Sequence, residues 1–206
     1  MAQRLRLIVI TDRALASPRS VLTVVEAALG AGAPAVQLRD KASSPSELMT
    51  LGRRLREVTW AAGALFFVND RLDVALALEA DGVHLGPDDI PVGAARAVLP
   101  DGFLIGYSAD DPTEAKAAVE AGADYLGCGT VYPTPSKPDA GASIGPEGLR
   151  RVVASVDVPV VGIGGIGAAQ ASDVAATGAA GLAVIGAVMQ ARNPSMQVRR
   201  LLSPWV

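Results

Sequence analysis

Short apolar runs alternate along this chain with longer segments in which apolar residues recur every three or four positions. The runs predict strands at Leu5–Thr11, Ala35–Arg39, Leu65–Asn69, Gly82–Gly86, Leu104–Ser108, Tyr125–Gly129, Pro159–Gly164 and Gly181–Gly186. The longer segments, among them Val21–Leu29, Glu47–Trp60, Pro112–Ala121 and Ala168–Thr177, predict helices. Ser44 followed by Glu47 has the form of a capping box, and Asp111–Pro112 puts proline in a first helical turn. A unit of helix end, glycine, small residues and strand recurs as AALGAGAPAVQLR, ALEADGVHLG, AVEAGADYLGCG and AATGAAGLAVIG. One supersecondary unit is reused, and eight strands with crossover helices in 206 residues predict a single-domain α/β protein over 1–206, a (β/α)8 TIM barrel. A doubly wound open sheet is the alternative.

Polar residues sharpen that picture, because they gather at the carboxyl ends of the predicted strands. Arg39, Asp40 and Lys41 end the second strand, Asn69 and Asp70 the third, and Asp88 and Asp89 follow the fourth. Ser108 ends the fifth. Thr130, Thr134, Pro135, Ser136 and Lys137 follow the sixth, Gly164 and Gly165 end the seventh, and Ile185 and Gly186 the eighth. In a barrel these positions meet at one mouth, where barrel enzymes keep their active sites.

Composition narrows the function classes. A formal charge of -3 gives no footprint for nucleic acid or an anionic membrane. The amino terminus has one apolar run, too short for a span and without a signal-peptide pattern, which predicts a cytoplasmic protein. Cys128 is alone, so no intramolecular disulfide forms, and it reads as a buried core thiol. His84, the single histidine, alternates with Val83 and Leu85 and reads as a core histidine, with no second imidazole for a metal site. Trp60 reads as helix packing; Trp205 reads as a tail residue that packs on the barrel or on a neighbouring subunit, and a homo-oligomer stays open.

The chemistry follows from residue types. Asp70 and Asp89, with Asp88 as a substitute, offer oxygen ligands for Mg2+, which is typically held by one or two carboxylates plus substrate phosphates; helix capping is the competing role. Gln37, Arg39 and Lys41 leave one face of an extended QLRDK and suit a polyanion or a heteroaromatic edge. A polar Gln37 within an apolar strand has to be buried with a partner. The glycine-rich loops after the sixth, seventh and eighth strands can hold phosphate through main-chain amides. The VGIGGIG run lacks the dinucleotide spacing. Two anion sites and a metal imply two small phosphorylated substrates, one with a diphosphate leaving group.

QLRDK, VND, DGVHLGPDD, GYS, YPTPSK, VGIGGI and VIGA, in this order from about Leu7 to about Ala191, resemble the thiamine-phosphate synthase family. The resemblance implies a (β/α)8 barrel that joins 4-amino-2-methyl-5-(diphosphomethyl)pyrimidine to 4-methyl-5-(2-phosphoethyl)thiazole, releasing pyrophosphate, with Mg2+. It implies that Gln37, Leu38, Arg39, Asp40, Lys41 and Asn69 hold the pyrimidine diphosphate and that Asp70 and Asp89 bind Mg2+. Ser108 and Lys137 then contact the diphosphate, with Arg39 and Lys41 as further catalytic cations. Thr134, Pro135, Ser136, Gly165, Ile185 and Gly186 then take the thiazole phosphate. The chain departs from the family pattern at Pro87, Ser136 and Gly186, where Gln, Thr and Ser are frequent. Two other readings are a thiazole tautomerase, whose branch carries histidine where this chain has Thr130, and a non-catalytic phosphate-binding barrel.

Overall fold

A computed structural model describes residues 1–134 and 142–205. Among these residues eight parallel strands close into a barrel in sequence order. They are β1 (Leu7–Ile10), β2 (Ala35–Leu38), β3 (Leu65–Asn69), β4 (Gly82–Leu85), β5 (Leu104–Ser108), β6 (Tyr125–Cys128), β7 (Val160–Ile163) and β8 (Gly181–Val184). The open-sheet alternative falls, because β1 pairs with both β2 and β8 and no edge remains. The helices are α1 (Arg13–Ala16), α2 (Val21–Leu29), α3 (Pro45–Ala61), α4 (Leu72–Ala77), α5 (Val92–Val98), α6 (Pro112–Glu120), α7 (Gly145–Val153), α8 (Ala171–Ala175), α9 (Gly186–Met189) and α10 (Pro194–Leu202).

Each strand alternates between two cores. Outward residues such as Val9, Val36, Phe66, Val83, Ile105 and Leu126 join the helices in the larger one. Inward residues including Ile8, Ala35, Leu65, Phe67, Tyr125, Val161 and Ala183 fill the barrel itself. Aromatic bulk inside is matched by glycine opposite: a Cβ on Gly106 would lie 2.2 Å from the Tyr125 ring and 2.5 Å from His84 Nδ1. Such volume matching lets a narrow barrel hold large side chains at close packing.

Strand and helix starts mostly follow the sequence pattern, and the differences have local causes. The first strand begins at Leu7 because Ala2–Leu5 forms a 3-10 turn. The helix expected over Ala168–Thr177 is confined to Ala171–Ala175, since Gln170 folds back and its Oε1 accepts the Gly167 amide. Ser44 and Glu47 form the expected capping box, and the Asp111 side chain accepts the Thr113 and Glu114 amides. Trp60 does not pack inside its helix layer: it is 73% exposed, with the Arg56 guanidinium 5.1 Å from its ring. Trp205 packs on the barrel, its indole N–H donating to Ala179 O.

At the end of the barrel opposite the mouth, two copies of one clip tie strands to helices. Asp81, just before β4, accepts the Phe66 amide at 2.8 Å and pairs with Arg56 at 3.0 Å. Asp124, just before β6, accepts the Ile105 amide at 2.7 Å and pairs with Arg96 at 2.5 Å. This is the physical content of the repeated acid in EADG and EAGAD. Asp124→Ala strands a buried amide and is expected to lower unfolding free energy by about 1–3 kcal/mol. Urea melts should show that loss while the specific activity of the folded fraction stays unchanged.

Candidate active site

The mouth is built from the backbone outward. Thr11, buried just past β1, accepts the Arg39 amide at 2.9 Å and donates to Arg39 O at 3.0 Å. That clamp fixes the end of β2, where the chain must turn out of the sheet. Asp40 pairs with Arg13 at 3.0 Å and accepts from Ser43 and Ala42, so its carboxylate shapes the loop rather than facing a ligand. Leu38 packs its side chain in the outer core, which leaves only its main chain for any ligand contact. Gln37 is 3% exposed and lies inward, where its side chain hydrogen-bonds the Tyr125 hydroxyl, the partner its burial required.

Asp70 follows Asn69 with φ 61, a left-handed conformation that aspartate tolerates better than most residues. Its amide donates to His84 O at 2.8 Å. Asp70 does not cap the helix behind it, because α4 has Arg71 at its N-cap position and no side-chain cap. Nor does Asp89 cap α5, whose N-cap is Pro91; Asp89 Oδ2 accepts the Gly86 amide at 2.7 Å instead. The capping alternative therefore fails for both acids.

Their electrostatics show that they meet. Burial, then the negative charge of Asp89 and a hydrogen bond with it, push the Asp70 carboxyl up to about 6, against the pull of Lys41 and Arg39. Four residues from three loops thus act on one point. Asp89, and not its neighbour Asp88, is the acid that hydrogen-bonds Asp70.

Beside this cluster lies a cavity of about 560 Å3 lined by Ser108, Thr134, Gly165, Ile185 and Gly186, five of the residues singled out from the sequence. The loops after β6 and β7 are laced together by Val131 N to Ile163 O at 2.9 Å and Tyr132 N to Gly164 O at 3.0 Å. Gly165, at φ 65, sits where a Cβ would meet Tyr132 O at 2.5 Å and Pro133 O at 2.6 Å. Only glycine fits that approach. Ile185 leaves β8 at φ -108 and ψ -82, and the short α9 starts at Gly186. The first amides of a helix have no acceptor within it, so those of Gly186 and Ala187 are open to oxygen ligands at the cavity wall. Pro135, Ser136 and Lys137 lie outside the described residues.

Thr130, placed in this loop by the sequence, is buried at the wall. Other residues here were not legible in the sequence. Asp110 accepts the Gly129 amide at 3.1 Å, and Glu114 accepts the Asp110 amide at 3.2 Å, so both brace the loops. His84 is the clearest departure. Strand alternation marks it as interior, yet its ring is only partly buried and makes contacts of 3.0 Å to Tyr125 Oη and 3.1 Å to Ser108 Oγ. Cys128 matches its expected role, since burial pushes its thiol up to about 12. None of the helices among the described residues is long and apolar enough to cross a membrane.

Comparison with known proteins agrees with the barrel fold. A family model described as thiamine monophosphate synthase matches residues 7–188. The thiamine-phosphate synthase of Moorella thermoacetica is 50% identical, the match covering 94% of this chain and 92% of that one. The thiamine-phosphate synthase of Archaeoglobus fulgidus is 52% identical over 87% of this chain and 84% of that one. Among solved structures, the thiamine phosphate pyrophosphorylase from Pyrococcus furiosus superposes with a TM-score of 0.89 at 45% identity, covering 98% of this chain and 96% of that one. With a family model spanning most of its length and relatives this similar, the chain belongs to the thiamine monophosphate synthase family.

Proposed function

We propose that the barrel mouth couples the pyrimidine methyl diphosphate to the thiazole phosphate by a dissociative substitution. The activity itself, thiamine-phosphate synthesis by an enzyme acting on small phosphorylated substrates, is that of the family. The observation that carries the finer reading is the convergence of Asp70, Asp89, Arg39 and Lys41 at one point beside the cavity of Ser108, Gly165 and Gly186.

Asp70 and Asp89 fit Mg2+: both donors are carboxylate oxygens, and the repulsion that raises Asp70 is what a divalent cation relieves. Bound there with the diphosphate, the ion supplies positive charge to the departing group. Arg39 and Lys41 add fixed cations on the same side, and Ser108 offers a hydroxyl donor. Lys137 completes this set on sequence grounds. The pyrimidine ring lies against Gln37 and Asn69, while the thiazole phosphate takes the amides of Gly165 and Gly186 and the hydroxyls of Thr134 and Ser136. As the C–O bond to diphosphate breaks, the methylene carbon becomes cationic, and the thiazole nitrogen closes the new C–N bond. The chain accelerates this by preorganised charge and alignment, with no covalent nucleophile.

Thr130 lines the cavity, so a tautomerase of the related branch would present its histidine there; this chain presents a hydroxyl. Incubating the protein with both phosphorylated substrates and Mg2+ should yield thiamine phosphate and pyrophosphate in equal amounts. Thiazole isomerisation without coupling would contradict the proposal. A cytoplasmic location and a homo-oligomeric state accompany this reading.

Metal binding should depend on pH through Asp70. Below about 6 the carboxyl keeps its proton, and Mg2+ has to displace it. Affinity for Mg2+ alone is therefore expected to fall about tenfold per pH unit below that value and to level off above it. Without metal the sign reverses: the folded state holds this proton more tightly than the unfolded chain, so the group's contribution to stability declines as pH rises from the ordinary 3.8 to about 6. Calorimetric titration and thermal melts across that range, with and without Mg2+, check both trends.

A further inference from the structure

The inside of the barrel holds a line of polar side chains below the mouth, contributed by four strands: Gln37 on β2, Tyr125 on β6, His84 on β4 and Ser108 on β5. Polar groups in a barrel core are costly unless paired, and here they are paired in sequence. Gly106 and Gly127 vacate the space the imidazole occupies; a Cβ on Gly127 would lie 3.0 Å from His84 Cε1.

One proton decides how the line is oriented. Tyr125 is fully buried, and burial keeps its hydroxyl protonated at any ordinary pH, so it always has one proton to donate. Gln37 and His84 Nδ1, the latter 3.0 Å away, both bond this hydroxyl. Where Nδ1 is the group that takes the proton, the ring carries its own proton on Nε2 and donates it to Ser108 Oγ at 3.1 Å. With that bond filled from below, the Ser108 hydroxyl proton turns to the cavity Ser108 lines.

We propose that Tyr125 and His84 are positioning residues that lock Ser108 as a hydrogen-bond donor to the diphosphate substrate. The ring of His84 fixes the tautomer, Tyr125 fixes the ring, and Gln37 fixes Tyr125. No proton is transferred in turnover; the line sets orientation before the substrate arrives, as preorganised donors must. This rests on the reading above only in taking Ser108 as a diphosphate contact.

The chain has one histidine, so a 15N-labelled sample gives one imidazole spin system. Long-range 1H–15N spectra of the wild-type protein at neutral pH should show a protonated Nε2 and a bare Nδ1. The opposite tautomer, a mixture, or an imidazolium overturns the proposal whatever the enzyme does. Tyr125→Phe removes one hydroxyl with little change in shape; it should blur the tautomer and lower kcat/KM for the diphosphate substrate roughly tenfold, the low end of losing a hydrogen bond to a charged group. In a Ser108→Ala background the same change should cost no further activity. An equal loss in both backgrounds overturns the relay while leaving Ser108 in the site. Unchanged kcat/KM in Ser108→Ala alone removes Ser108 from the diphosphate site and the relay with it.

Discussion

Asp70→Asn is expected to cut Mg2+-dependent turnover more than about a hundredfold, the scale of losing one preorganised charge-stabilising group, without lowering stability at neutral pH. The two halves of that expectation come from the same geometry. Asp70 is crowded by Asp89, and the site holds its proton up to about 6, so at neutral pH the ionised carboxylate is under strain when no cation is present. Replacing it with a neutral isostere relieves the strain. Asparagine also accepts the left-handed backbone at φ 61 about as readily as aspartate does. An inactive variant that melts at or above the wild-type temperature is the signature. A variant that loses stability and activity together would instead make Asp70 a structural residue. Asp89→Asn should share the activity loss, but its Oδ2 also holds the Gly86 amide, so some destabilisation comes with it.

The second large effect concerns the other substrate. Gly165→Ala drives a methyl group against two carbonyl oxygens, those of Tyr132 and Pro133, and places a side chain in the left-handed region at a cost of about 1–2 kcal/mol. The loops after β6 and β7 are laced at these residues, so they move apart together. A displacement of about 1 Å in a positioning loop can cost about a hundredfold. The expected result is a rise of that order in KM for the thiazole phosphate, with the KM for the pyrimidine diphosphate much less affected. Gly167→Ala is the control. Its Cβ would meet only the end of the Gln170 side chain, 3.3 Å away, and little change is expected. Equal effects from the two substitutions would remove Gly165 from the phosphate site.

Much of this architecture can be read before any coordinates. The reused glycine-closed unit announces the barrel, and strand ends announce the rim, because parallel strands deliver their last residues to one face. Asp70, Asp89, Arg39 and Lys41 were recognisable for that reason alone. What sequence hides is what depends on the third dimension. His84 sits in an alternating strand, and alternation says only that it points opposite to Val83 and Leu85. Whether the inward space is filled with carbon or with a phenol and a hydroxyl is decided by Tyr125 and Ser108, 41 and 24 residues away. Thr11 is similarly invisible: nothing near it in sequence tells that its hydroxyl grips Arg39 across two strands. Asp40 shows the converse. It stands between two cations in QLRDK, yet the structure turns it to Arg13 and Ser43. Trp60 errs for a simpler reason, since helical periodicity tolerates an aromatic ring at its polar edge when an arginine such as Arg56 lies across it.

The proposed use of the rim can be met head on by a crystal structure of the protein grown with Mg2+ and pyrophosphate. The ion should sit between Asp70 and Asp89, with the diphosphate against Arg39, Lys41 and the Ser108 hydroxyl. Pyrophosphate bound elsewhere on the molecule, or at the mouth with no cation between the two carboxylates, would contradict it.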